Sequence, residues 1–170
     1  VKLIITHNFQ LHNRQFCDIL NTVLYKVLQN RTERSLFMSY INESVIYNIY
    51  PLGWCGAPKQ NDGQLVYRLD KIYDWIPHFK KMSINCIVFN PLFESSFHGY
   101  DTIDYKKVDC RLGDNESFKK ICKTLHENGI KIILDGVFNH VGRDFFAFKD
   151  VQQNLQNSQY CGWVQNLGFL

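Results

Sequence analysis

Two polar runs in this chain combine side chains suited to gripping an oxygen-rich ligand. One is Asp135-Gly136-Val137-Phe138-Asn139-His140-Val141, where an acid, an amide and an imidazole follow directly on an apolar stretch. The other is His98-Gly99-Tyr100-Asp101-Thr102-Ile103-Asp104-Tyr105-Lys106-Lys107-Val108-Asp109, which interleaves aromatics with carboxylates. Aromatic faces stack on sugar rings and carboxylates accept hydrogen bonds from hydroxyls, so together the runs fit a carbohydrate.

The elements that must position these runs are legible from periodicity. Val45-Ile-Tyr-Asn-Ile-Tyr50 is a β-branched and aromatic run ended by Pro51 and Gly53, which predicts a first strand. Leu69, Ile72, Tyr73, Ile76, Phe79 and Met82 recur at helical spacing, and Asn85–Phe89 is a short apolar run closed by Asn90-Pro91. This is a helix and then a second strand. The segment from Glu94 to Gly113 is polar and contains glycine, and it reads as a long loop. Asp114 or Asn115 then caps a helix with the face Phe118, Ile121, Cys122 and Leu125, Gly129 suits its C′ position, and Lys131–Asp135 supplies a third strand.

The two later strands are apolar nearly throughout, as strands covered on both faces by helices should be, and a helix precedes each. The order is β-α-β-α-β, hence a parallel sheet. In such folds ligands bind at the C-terminal ends of the strands, where both polar runs fall. Ahead of this region, Phe16, Ile19, Leu20, Val23, Leu24, Val27 and Leu28 lie at i, i+3, i+4, i+7 spacing, which predicts an amphipathic helix over residues 15–29.

Composition excludes several classes. Of the 170 residues, 45% are hydrophobic and 21% charged, far from the signature of disorder. The net charge of +3 is spread over single residues and pairs such as Lys80-Lys81 and Lys119-Lys120, with no basic block of the kind that binds nucleic acid. No run approaches the roughly 20 apolar residues of a membrane span, and Val1–Ile5 is too short for a signal sequence, so a cytoplasmic protein is expected. The six cysteines, Cys17, Cys55, Cys86, Cys110, Cys122 and Cys161, contain no C-x-x-C pair and read as free thiols. No Gly-rich phosphate loop accompanies the strands, which argues against a small complete doubly wound domain.

Three segments in order, V-I-Y-N-I-Y-P from Val45, H-G-Y-D-T-x-D-Y-x-x-V-D-x-x-L-G from His98 and D-G-V-F-N-H from Asp135, resemble the α-amylase superfamily of glycoside hydrolases. The resemblance runs from about Val45 to Phe148 and more weakly to Phe169, and it is softer toward bacterial maltodextrin-acting members. It implies an α/β fold, a partial (β/α)8 TIM barrel of about the first three βα units preceded by an N-terminal helical segment. The corresponding division is 1–42 as N-terminal segment, 43–150 as barrel units and 151–170 as the start of the family's inserted domain B.

Members of this family cleave or transfer α-glucosidic bonds with retention, through one nucleophilic carboxylate and one acid/base carboxylate. By resemblance these come from a G-x-R-x-D motif on a fourth strand and a Glu on a fifth, with a further Asp after the seventh, and none is present here. Gly142-Arg143-Asp144 has the wrong spacing and sits directly behind the third strand. The catalytic pair is therefore expected outside this chain. What carries over is the binding rim: Tyr100 as the sugar-stacking tyrosine, His140 as the histidine that bonds the 6-hydroxyl, and Asp101 and Asp135 beside them. Asp104 is expected to order its own loop. Asn139 matches an asparagine that binds calcium through its amide oxygen in many members, so calcium is the one candidate cofactor.

The implied partner is an α-glucan or maltooligosaccharide, together with the remainder of the barrel where the chain is part of a longer protein. The alternative is a non-catalytic carbohydrate-binding or interaction protein derived from that family. Three of eight barrel units leave open sheet edges, and the outer edge of the third strand is expected either bare or covered by the segment after Arg143.

Overall fold

The computed structural model describes residues 2–4 and 42–164. The helix expected over residues 15–29 lies outside them. The chain divides into two compact units, one of residues 1–7 and 45–149 and the other of residues 8–44 and 150–170.

The first unit is built on a four-stranded parallel sheet of β1 (Lys2–Ile4), β2 (Ile46–Ile49), β3 (Cys86–Phe89) and β6 (Lys131–Asp135), in the spatial order β1-β6-β3-β2. The three strands expected from the sequence are thus β2, β3 and β6, each within a residue or two of its expected place. They are in register from Ile46↔Cys86 to Ile49↔Phe89 and from Cys86↔Lys131 to Phe89↔Leu134. One expectation is corrected: the outer edge of β6 is neither bare nor covered by the segment after Arg143. It pairs with β1, from Lys2↔Ile133 to Ile4↔Asp135. The β1 backbone supplies the hydrogen bonds that an exposed parallel edge would lack.

Helices connect the strands as the periodicity requires. Pro51 opens a short helix, α1 (Pro51–Trp54), since its fixed φ and missing N–H suit the first helical position. α2 (Ile72–Lys81) buries Ile72, Ile76 and Phe79, while α3 (Asn115–Glu127) buries Phe118, Ile121 and Leu125. The α3 start is a reciprocal cap: Ser117 N–H donates to Asp114 Oδ1 at 2.7 Å and Asp114 N–H donates to Ser117 Oγ at 2.9 Å. Gly129 follows its last turn with φ of +76°. Across the sheet, Phe89 meets Phe118 edge-on at 6.0 Å and Tyr47 meets Phe79 at 5.3 Å.

A second correction concerns the segment read as a long loop. It contains an antiparallel pair, β4 (Phe93–Ser95) and β5 (Thr102–Val108), joined through the His98-Gly99-Tyr100 turn. Thr102 and Val108 are buried and Ile103 and Tyr105 half-buried, with charged residues between them. The alternation is weak because both sides carry Lys or Asp, yet it is enough for a half-covered ribbon. α4 (Phe146–Asn154) follows β6 and carries the chain out of the first unit. In the second unit, Asp150 accepts from Asn154 Nδ2 at 3.0 Å and from the Ser158 hydroxyl, and Tyr160 packs on Trp163 at 5.1 Å. No helix among the described residues is long and apolar enough to cross a membrane.

Phe79 is fully buried between α2 and the sheet, so Phe79→Ala removes both its transfer free energy and its packing. We expect a loss of about 3–5 kcal/mol, read as a lowered urea midpoint by circular dichroism.

Candidate functional site

The C-terminal ends of β2, β3 and β6 open onto one edge, and the polar runs lie there. At the end of β3, Asn90 N–H is fixed by Ile49 O at 2.9 Å, which turns its side chain to two neighbours. Asn90 Nδ2 donates to Tyr100 Oη at 2.9 Å and lies 3.5 Å from Asp135 Oδ2 at the end of β6. Tyr100 is 37% exposed, so it stays partly accessible while its hydroxyl is held, and the His98 ring lies 6.2 Å from its own. Burial and then the Asp135 charge push the Tyr100 hydroxyl pKa up, against the Asn90 hydrogen bond, so it stays a neutral donor at ordinary pH.

The turn that carries Tyr100 is tightly specified. Gly99 has φ of +88°, and a Cβ there would lie 2.9 Å from Pro91 O, so only glycine fits. Asp101 turns back on this turn: its Oδ2 accepts from Phe97 N–H at 2.8 Å and its Oδ1 from His98 N–H at 2.9 Å. His98 Nδ1 lies 3.2 Å from Tyr100 N and 3.3 Å from Asp101 Oδ1. One nitrogen cannot accept from the first and donate to the second; because Oδ1 already has the His98 N–H, we assign Nδ1 as acceptor for Tyr100 N–H. Asp104, as expected, holds its own backbone, accepting from Lys106 N–H at 2.8 Å.

Beneath the rim sits a buried ion pair that sequence reasoning passes over. Arg111 and Asp109 have side chains 0% and 1% exposed. Arg111 Nε donates to Asp109 Oδ1 at 2.8 Å and Nη2 to Oδ2 at 2.7 Å, a bidentate geometry. The same guanidinium donates to Pro58 O at 2.9 Å, Lys59 O at 3.1 Å, Phe97 O at 2.8 Å and Ser95 Oγ at 2.9 Å. Ser95 Oγ in turn accepts from Gly99 N–H at 3.1 Å. One cation therefore ties the loop after β2 to the turn carrying His98 and Tyr100. Burial works to lower the Arg111 pKa, and the Asp109 hydrogen bond and charge overcome it, leaving the pKa raised.

Asn61 adds a second tie, donating to Ser95 O at 2.7 Å and Glu94 Oε1 at 3.1 Å. Among the described residues, the one group of metal-competent side chains is Glu94, Asp109 and Cys110. It already contains its cations, Arg111 on Asp109 and Lys107 Nζ 3.4 Å from Glu94, and so does not fit a metal ion. Asn139, the candidate calcium ligand, is not part of it and is exposed, as is His140.

The segment with Asn139 and His140 is tethered to β5. Tyr105 Oη donates to Val137 O and lies 3.2 Å from His140 O. Its ring stacks on Phe138 at 5.3 Å and 28°. Burial pushes the Tyr105 pKa up to about 12. Of the residues anticipated from sequence, Tyr100 and Asp135 are thus linked through Asn90, His140 is held through its carbonyl, and Asp101 serves the turn. Asn90, Tyr105 and Arg111 escape sequence reasoning: Asn90 reads only as strand punctuation, and Arg111 falls at an unspecified position of the V-D-x-x-L-G pattern.

Comparison with known proteins assigns the class. The alpha-amylase catalytic-domain family matches residues 48–166, and the chain belongs to it. The cyclomaltodextrinase of Thermoanaerobacter pseudethanolicus is 36% identical over 148 residues, covering 77% of this chain and 26% of that protein. Neopullulanase 2 of Thermoactinomyces vulgaris is 36% identical over 151 residues, 79% of this chain and 26% of that protein. Among solved structures, the debranching enzyme of Nostoc punctiforme superposes with a TM-score of 0.62 at 31% identity, over 75% of this chain and 31% of that one. The chain spans about a quarter of the length of these curated relatives.

Arg111→Met leaves the Asp109 carboxylate buried without its counter-ion and is expected to destabilise the fold by about 3–5 kcal/mol in urea denaturation. Because the folded Tyr105 pKa of about 12 lies above its ordinary value of 10.0, the stability it contributes is complete below pH 10 and lost as pH rises toward 12. The fall in stability across that window, followed by denaturant unfolding, should be shallower in Tyr105→Phe than in the parent chain.

Proposed function

We propose that this chain is the N-terminal part, about the first three βα units, of the (β/α)8 catalytic barrel of a retaining glycoside hydrolase acting on α-glucosidic bonds of starch or maltodextrin. In this reading it supplies one side of the sugar-binding rim, and the nucleophilic aspartate and acid/base glutamate come from later strands. The chain alone is then inactive. The observation that carries the proposal is the Tyr100–Asn90–Asp135 cluster on the C-terminal strand edge, with a partly exposed aromatic residue beside hydrogen-bonding groups. The names of the relatives, cyclomaltodextrinase and neopullulanase, support an α-glucan as ligand.

Within that reading Tyr100 stacks on a glucose ring, and Asp135 and His140 bond its hydroxyls. Asp101 acts on sugar only indirectly, by holding the Tyr100 turn, since both its oxygens accept from backbone. Calcium at Asn139 would draw one amide oxygen from this chain, and the roughly six to eight ligands that Ca²⁺ takes would have to be completed from elsewhere. The thiols of Cys55, Cys110, Cys122 and Cys161, none of them in a disulfide, support a reducing, cytoplasmic setting.

A second reading, a carbohydrate-binding protein without catalysis, is favoured by one feature: the rim is tied by hydrogen bonds among residues 49 to 144 of this chain itself, from Ile49 O and the Tyr50 hydroxyl to Asp144. Titration of the 170-residue chain with maltotriose by calorimetry, alongside a reducing-end assay, tests both. We expect binding without hydrolysis, and Tyr100→Ala to weaken binding roughly ten-fold or more, a loss of about 1.4 kcal/mol per decade. Hydrolysis by the pure chain would overturn its inactivity; binding indifferent to Tyr100→Ala would overturn the assigned site.

A further inference from the structure

The hairpin β4–β5 holds more than the Tyr100 turn. The segment leaving β6 is bonded to it at two places, and both ties act on backbone. Gly142 N–H donates to Thr102 O at 2.8 Å, and a Cβ on Gly142 would lie 2.4 Å from Asp101 O, so the two segments are in contact there with no room for a side chain. Further along β5, the Tyr105 hydroxyl reaches the carbonyls of Val137 and His140. Its ring is fixed by Phe138 at 5.3 Å, Phe93 at 6.0 Å and Phe145 at 6.1 Å. The His140 side chain is exposed, and what fixes its Cα is therefore the backbone on either side of it.

We infer that Tyr105 is a positioning residue, whose hydroxyl sets the His140 imidazole at the height and angle needed to share one sugar ring with Tyr100. This rests on the sugar-binding reading above and deepens it. The chemistry is directional. A hydroxyl has one proton, and both Val137 O and His140 O lie within its reach, so the proton is shared between the two carbonyls and the turn from 137 to 140 is wrapped around a single donor atom. Removing that atom leaves the apolar ring packing in place but unpins the turn. Because Tyr100 and Tyr105 lie on one hairpin, a rigid hairpin fixes the two sugar-contacting side chains relative to each other, although they come from loops after different strands. Preorganisation of this kind raises affinity by removing the ordering cost from the binding step.

The test compares the parent chain with Tyr105→Phe and with Tyr73→Phe, a tyrosine of α2 outside every contact of the rim. Three quantities are read: thermal midpoint, maltotriose affinity, and the His140 ring Cε1–H resonance with and without maltotriose. The expected result is a Tyr105→Phe chain that remains folded, with the His140 signal displaced in the free protein. Its maltotriose affinity should fall roughly three- to ten-fold, the range of one neutral hydrogen bond, while Tyr73→Phe matches the parent. A Tyr105→Phe chain with parental His140 signal and affinity would overturn the inference and leave the sugar site standing. A parent chain that fails to bind maltotriose would overturn the sugar-site reading and this inference with it.

Discussion

The rim of this molecule depends on a buried charge pair. Arg111 and Asp109 are withdrawn from water almost completely, and such a pair is sustained only when every remaining donor and acceptor finds a partner. Here the leftover donors are spent on carbonyls of Pro58, Lys59 and Phe97 and on the Ser95 hydroxyl, all in segments that follow parallel strands. The electrostatic requirement of one guanidinium thereby becomes a geometric constraint on two loops. No buried side-chain polar atom among the described residues lacks a partner, which is the condition under which such a network adds rigidity.

The parallel sheet supplies the foundation and the β4–β5 hairpin the superstructure. β2, β3 and β6 are held in register by helices whose buried faces recur every three or four residues, and their carboxyl ends set Asn90 and Asp135 side by side. The hairpin then carries Tyr100 at its turn and Tyr105 in its second strand, reaching back to the β6 loop. Side chains that follow separate strands are thus tied to one ribbon, and the ribbon is fixed from beneath by Arg111.

Much of this is legible in the residues. Continuous apolar runs at Asn85–Phe89 and Lys131–Asp135, separated by helical periodicity and an Asp114 cap, define buried parallel strands from pattern alone. The family motifs place Tyr100, His140 and Asp135 after those strands. Three things are obscured for physical reasons. β5 carries charges at alternate and adjacent positions, so its period is masked. Arg111 is a charged residue with no exposed surface, against the usual distribution, and nothing in its sequence neighbourhood announces burial. β1 is a strand of three residues whose pairing partners are Ile133–Asp135, far along the chain, a contact that local pattern does not encode.

The proposal that the carboxyl edge of the sheet is a preassembled sugar rim is tested most directly by backbone amide mapping, using heteronuclear NMR during a maltotriose titration of the intact chain. The predicted result is a set of perturbations concentrated at Asn90, His98–Asp101 and Asp135–Gly142, with the α3 amides from Asn115 to Glu127 unmoved. Perturbations centred on α3, or spread evenly over the chain, would contradict it.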